Sequence, residues 1–164
     1  MARLVRLQFG QSDLVKFAAP LKAATRALLI HQGFTADEAT RAIEGDLKRV
    51  PDERLGWLTP TQIMQAIGNG VRDDLDSDVW VRMARQRVAV SPAPVIIIDD
   101  VRYANEAAAV RRMGGRVVMI TGREDASVST GHASERFEFE PDLTFYNTGS
   151  VLDMERWIIA HLTR

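Results

Sequence analysis

The sequence predicts a single α/β domain, and three observations carry that prediction. Short β-prone runs alternate with longer helical runs along the chain. Four β-branched residues stand together at Val95-Ile96-Ile97-Ile98, the pattern of a strand buried on both faces in a parallel sheet. A helical stretch from about Ala104 to Met113 then leads through Gly114-Gly115 to a second apolar run at Val117 to Ile120. Strand, helix and strand in that order read as a βαβ unit.

The elements follow in order. Ala2, Leu4, Val5, Leu7 and Phe9 are spaced as on a helix, and Gly10 closes it. Leu14 to Ala19 reads as a strand stopped by Pro20, and Leu21 to Gln32 as a helix ending before Gly33. Thr35-Ala-Asp-Glu38 is a capping box that opens a helix to about Lys48. Pro51 to Leu58 is a polar loop carrying Trp57. Thr59-Pro60-Thr61-Gln62 repeats the start signal, for a helix to Ile67 that Gly68-Asn69-Gly70 breaks. A further helix covers about Asp78 to Arg87. Leu143 to Tyr146 reads as a last strand and Val151 to Leu162 as a closing helix. The whole of 1–164 is expected to form one domain, with a helical insertion over about 34–90.

Composition bounds the function. A chain of 164 residues that is 46% hydrophobic and 26% charged matches a soluble globular protein. With no cysteine, disulfides, zinc–thiolate sites and cysteine nucleophiles are excluded. Lys and Arg total 21 against 22 Asp and Glu, so there is no bulk basic field for nucleic acid. No apolar run is long enough to span a bilayer, and the N-terminus lacks a signal-peptide layout. A cytoplasmic protein with neither a nucleic-acid nor a membrane partner is expected.

The candidate chemistry gathers at strand ends, because ligands of open α/β sheets bind outside the carboxyl ends of strands. Val95–Ile98 runs into Asp99-Asp100-Val101-Arg102. The acidic pair suits a divalent cation, and the planar fork of Arg102 suits a phosphate. The competing reading is a helix cap for one Asp and an arginine partner for the other. Glu106 falls in the first turn of the following helix, where a carboxylate is often only a dipole partner. Lys22, Arg72 and Arg123 are further phosphate candidates, each of a type more often found simply at the surface. Gln65, three residues before the glycine turn, could read the edge of a base. Gly131-His132-Ala133-Ser134-Glu135 has no Gly-x-Ser-x-Gly elbow, which argues against a serine hydrolase. An Asp-Asp pair also occurs in receiver domains, but there it comes early, and here too little chain follows it.

Taken together, ordered segments resemble the phage and bacterial deoxynucleoside monophosphate kinase family of P-loop kinases. They are Phe17-Ala-Ala-Pro-Leu-Lys22, Thr59-Pro-Thr-Gln-Ile-Met-Gln65 with Ala66-Ile67-Gly68, and Asp78-Val-Trp-Val-Arg82. Val95-Ile-Ile-Ile-Asp-Asp-Val-Arg-Tyr-Ala-Asn-Glu106 follows, then Gly114-Gly115, His132-Ala-Ser-Glu135 and Asp142 to Gly149. The resemblance implies a three-layer fold with a mostly parallel sheet and a helical substrate-binding insertion. It implies transfer of the γ-phosphoryl of ATP to a deoxynucleoside monophosphate (dNMP) with Mg²⁺, in a bacterial or phage-infected cell, and it admits a homodimer. Lys22, Arg72 and Arg102 would hold phosphates, with Arg123 a further candidate. Gln65 would lie near the base. Asp99 or Asp100 would support the metal, with Asp100, Arg102 and Lys22 as the catalytic set. Glu106 and His132 would be secondary.

The chain departs from that family in one large respect. The expected first strand and its Gly-x-x-x-x-Gly-Lys loop do not occur in these residues, and Met1–Gly10 resembles the end of the helix that follows such a loop. In smaller respects, the family tends to carry Arg where Thr61 stands, and one more residue between Gly68 and Arg72. The alternative reading is therefore a nucleotide-binding or interaction protein of the same fold that lacks the loop and the catalysis.

Overall fold

A computed structural model describes residues 1–122 and 139–162 of the chain. Contacts divide the chain into two compact units, Met1–Lys16 with Arg85–Arg164, and Phe17–Ala84.

The first unit is the α/β part. Helix α1 (Ala2–Phe9) ends at Gly10, whose φ of 64° suits a residue without a Cβ. Strand β1 (Ser12–Val15) pairs in parallel with β2 (Val95–Ile98), Ser12 opposite Val95 and Val15 opposite Ile98. Helix α6 (Ala104–Arg112) follows β2, then β3 (Val118–Thr121), which pairs in parallel with β4 (Leu143–Tyr146). Helix α7 (Val151–Leu162) closes the chain. Val5 of α1, Phe145 of β4, and Met154 and Ile158 of α7 form the buried core, with Ile97 of β2 and Val118 of β3 packed against it. Phe145 and Trp157 meet ring to ring at 5.3 Å, and Trp157 stacks on His161 at 4.6 Å. One apolar layer from α1 and α7 thus lies against strands of both pairs.

Those pairs do not join among the described residues: the sheet is two two-stranded pieces, β1-β2 and β3-β4. A cavity of about 720 Å³ is lined by both β2 and β3, among others by Ile96, Ile98, Val118 and Met119, with Val5 of α1 and Val110 of α6. The expectation that β2 is buried on both faces is therefore corrected. Every residue of β2 is only half-buried; among the described residues no strand covers its second edge, and the cavity runs along it.

The second unit is helical. Helix α2 spans Ala19–His31, α3 spans Ala36–Glu44 and α4 spans Pro60–Gly70, and α5 (Val79–Ala89) begins in this unit. Between α3 and α4 the chain makes 3-10 turns at Asp46–Arg49 and Glu53–Leu55. Leu29, Phe34, Ala39, Ala42, Ile43, Leu55 and Met64 make its core.

Both capping boxes form as the sequence implies. Thr35 Oγ1 accepts from Glu38 N at 3.2 Å and Glu38 accepts from Thr35 N at 2.8 Å; Thr59 and Gln62 repeat the pattern on α4. Three boundaries differ from the sequence reading. The strand expected over Leu14–Ala19 stops at Val15, and Pro20 starts a helix instead of stopping a strand, since its fixed φ and missing N–H suit the first turn. The helix expected to reach Lys48 gives way to a 3-10 turn after Gly45. Gly68-Asn69-Gly70 does not break α4, which continues into a π-helical turn at Val71–Leu75. Tertiary contacts override the glycine propensity there. Trp80 Nε1 donates to Gly68 O at 3.3 Å, and a Cβ on Gly68 would come within 3.0 Å of Leu21 Cδ2.

Because the Thr35 hydroxyl satisfies a backbone N–H that nothing else reaches, Thr35→Ala is expected to lower stability by about 1 kcal/mol. Urea unfolding followed by circular dichroism measures it. An unchanged midpoint would show that the α3 cap contributes nothing.

Candidate functional site

In the first unit, parallel pairing decides what stands at the carboxyl end of β2. Val15 lies opposite Ile98, so the next residues of the two strands, Lys16 and Asp99, come out side by side. Lys16 Nζ sits 3.2 Å from Asp99 Oδ1. Asp99 is thus engaged by a cation of its own sheet. The ion pair is partly exposed, and such pairs contribute little net stability.

Asp100 and Arg102 lie between β2 and α6. The backbone there is pinned by one buried carboxylate. Glu106, only 6% exposed, accepts from Arg102 N at 2.7 Å and from Tyr103 N at 3.1 Å, both through Oε2. These are donors at the start of α6 that would otherwise lack a partner inside the helix. Burial pushes the Glu106 carboxyl above its ordinary range; the two backbone hydrogen bonds oppose that shift and the Asp100 charge adds to it. Glu106 therefore pins the backbone of this turn. It holds the backbone so that the Arg102 side chain leaves the turn exposed, with no salt bridge among the described residues.

The residues at this strand end suit a hard cation on a limited scale. Mg²⁺ commonly uses one or two protein carboxylates and takes its remaining oxygens from water and phosphate. Asp100 supplies such a carboxylate, and its charge already acts on buried Glu106, so a cation beside it would relieve like-charge repulsion. No cluster of three or more acidic, His or Cys residues able to hold a metal exists among the described residues.

The second unit holds Lys22, Gln65 and Arg72. Lys22, in the first turns of α2, donates to both oxygens of Glu44 at 2.8 and 3.0 Å. Arg72, in the π-helical turn, donates through Nε to Asp73 at 2.9 Å and through its fork to Asn69 at 3.0 Å. Gln65 is half-buried on α4. Both cations therefore already carry carboxylate partners. Those partners are exposed enough that a phosphate dianion could take their place at small cost. Arg123 and His132 lie outside the described residues.

Sequence reasoning passed over two features. Lys16 was not singled out, although a strand-end Lys becomes visible as an Asp99 partner once the register is known. Asp142 was matched by motif alone. Its carboxylate accepts from Val117 N at 2.7 Å and from Arg111 Nε at 3.0 Å, which ties α6 to the start of β4; the Val117 bond first, then Arg111, holds its pKa below the ordinary carboxylate value.

The raised Glu106 pKa has a consequence for stability. A group whose folded pKa lies above its unfolded value stabilises the fold below the unfolded pKa and loses that contribution as pH rises through the folded one. Glu106→Gln keeps an oxygen that can accept both backbone N–H groups but cannot ionise. Relative to wild type, E106Q is expected to gain stability as pH climbs from about 4.5 towards neutrality, and to show no such gain below that range. Chemical denaturation of both proteins from pH 4 to pH 8 tests the difference. A parallel pair of curves would mean that Glu106 titrates normally.

No family model matches the chain. It is 30% identical, over 134 residues, to a protein of Acanthamoeba polyphaga mimivirus described as "Putative deoxynucleotide monophosphate kinase". The match covers 73% of this chain and 65% of that protein, so the chain spans a little less than two thirds of its relative's length.

Proposed function

We propose that the chain is a deoxynucleoside monophosphate kinase of the P-loop kinase type, which moves the γ-phosphoryl of ATP to a dNMP and yields ADP and dNDP. The observation that carries this reading is the end of β2. There a carboxylate at Asp100 and an exposed arginine at Arg102 follow a parallel strand, and a buried Glu106 pins the turn between them. The similarity to the viral protein, with its printed description, supports the same reading.

In this reading an oxygen of the acceptor monophosphate forms a bond to the γ-phosphorus while the bond from that phosphorus to the β–γ bridging oxygen breaks. The nucleophile is already an anion, so the protein's work is positioning and charge stabilisation. Arg102 holds the transferring phosphoryl with its fork. Lys22 and Arg72 hold the acceptor phosphate by exchanging Glu44 and Asp73 for it, and Arg123 is a further phosphate contact. Gln65 reads the base through its amide. Asp100, with Asp99 once Lys16 is displaced, would hold Mg²⁺ or its waters. Bound there, Mg²⁺ would neutralise part of the phosphate charge. Glu106 keeps Arg102 in place, and His132 stands as a secondary site residue.

The cavity lined by β2 and β3 has room for a further strand. A further parallel strand there would join the two pairs, and a phosphate-binding loop at its carboxyl end would come out beside Asp99 and Asp100. Sequencing the gene 5′ of the Met1 codon tests whether an in-frame Gly-x-x-x-x-Gly-Lys occurs there, which would favour the kinase reading. Its absence would favour the second reading, a nucleotide-binding protein without catalysis. That reading draws on the 164 residues themselves, which hold no such motif.

Arg102→Ala is expected to lower phosphotransfer on the order of a hundredfold, the size of loss seen when one preorganised donor is removed. Arg102→Lys should restore only part of it, because an ammonium cannot bind two oxygens in one plane. Coupled ADP release with each dNMP is the assay. Full activity in R102A would overturn the assignment of this residue.

A further inference from the structure

In the helical unit, the loop between α3 and α4 holds an aromatic side chain in a backbone conformation that suits it poorly. Trp57 has φ 67°, and no other non-glycine among the described residues has a positive φ. It follows Gly56, itself left-handed at φ 63°. A bulky residue there is an outlier, since Gly and Asn tolerate the conformation far better. The ring is also 70% exposed. Burial therefore does not explain the position, and neither does local backbone preference.

The loop around it is heavily cross-braced. Asp52 N donates to Leu58 O at 3.2 Å, and Trp57 N donates to Asp52 O at 3.0 Å. The Asp52 carboxylate accepts from Arg54 N at 2.9 Å and takes the Arg54 guanidinium at 2.7 Å. Arg54 in turn lies 3.6 Å over the Phe34 ring, reaches Gly33 O at 3.3 Å, and pairs with Glu38 at 3.4 Å. These bonds over-determine the backbone that carries Trp57. Strained, over-determined residues of this kind gather at ligand clamps. The same loop carries Lys48 and Arg49, both exposed and without an ion pair among the described residues, whereas its other arginine, Arg54, is spent on Asp52 and Glu38.

We infer that Trp57 is a stacking platform for a nucleobase, in a segment whose exposed Lys48 and Arg49 add positive charge. This deepens the nucleotide reading above and rests on it. An exposed flat ring on a cross-braced backbone presents a π-face to any base. The base belongs either to the dNMP or to ATP.

The test uses Trp57→Asn, which tolerates the left-handed backbone but has no ring, and Trp57→Phe, which keeps a ring. Intrinsic tryptophan fluorescence and calorimetry are followed with each dNMP, with ATP, and with deoxyribose 5-phosphate as the base-free control. Wild-type emission should be quenched by base-containing ligands. W57N should bind one of the two nucleotide classes about tenfold or more weakly, the scale of lost base–aromatic stacking, while its affinity for deoxyribose 5-phosphate stays the same. W57F should recover most of the loss. The class that weakens identifies whose base stacks. Thermal stability of W57N should equal or exceed that of wild type, because the strain is gone; a marked drop would overturn the inference and assign Trp57 to the fold. Unchanged nucleotide affinity in W57N overturns the inference and leaves the kinase reading standing. If the wild type binds no nucleotide at all, both fall. A shift in oligomeric state in W57N by sedimentation, with nucleotide binding intact, would assign the ring to a protein contact and overturn base stacking.

Discussion

The parallel ladder between β1 and β2 is the constraint on which the candidate site depends. Its two strands are separated in sequence by the entire helical segment, yet four residue pairs in strict register bring their carboxyl ends level. Side chains alternate along a strand, so a slip of one residue would turn every side chain of β2 to the opposite face. Ile97 would then leave the α1–α7 layer, and Asp99 would lose Lys16. Apolar packing thus sets the register, and the register delivers the polar residues to one end. The chemistry at Asp99, Asp100 and Arg102 is a by-product of where Ile97 must be buried.

Glu106 extends that logic by one turn. A charged group is costly to bury, and here the cost is offset by two backbone donors at the start of α6. The result is a turn whose backbone is held from beneath while its charged side chain stays in solvent. The rigid part is buried and satisfied, and the exposed Arg102 guanidinium has no salt bridge among the described residues. In the helical unit Lys22 and Arg72 follow a different strategy. Each is held in place by a carboxylate partner, Glu44 for Lys22 and Asp73 for Arg72.

Much of this was legible in the residues, and what was legible is local. The boxes at Thr35–Glu38 and Thr59–Gln62 read correctly because cap and partner lie within one turn. The Val95–Ile98 run is a strand because four β-branched side chains leave little choice. The glycines at 68 and 70 misled because their reason is remote: Leu21 lies too close for a side chain at 68, and the Trp80 indole takes its carbonyl. No periodicity announces such a contact. Ala18-Ala19-Pro20 reads equally well as the end of a strand or the start of a helix, and helix packing decided it. At the candidate site, Asp99, Asp100, Arg102 and Glu106 stand out through their place after a strong strand, whereas Lys16 requires knowledge of the register. The buried orientation of Glu106 is likewise a tertiary fact; its residue type suggested no more than a favourable charge near a helix start.

The division of the sheet into two pairs was not legible either, and it has a physical consequence. A strand edge without a partner leaves its N–H and C=O groups to water or to another strand. Here the second edge of β2 lies along a cavity whose other walls are apolar: α1 and α6 line it, and β3 lines it as well. Water in an apolar channel is poorly held, because it needs several polar partners. A peptide strand suits such a channel better, since its backbone satisfies the edges and its side chains satisfy the walls. Asp99 also lines that cavity, at the carboxyl end of β2.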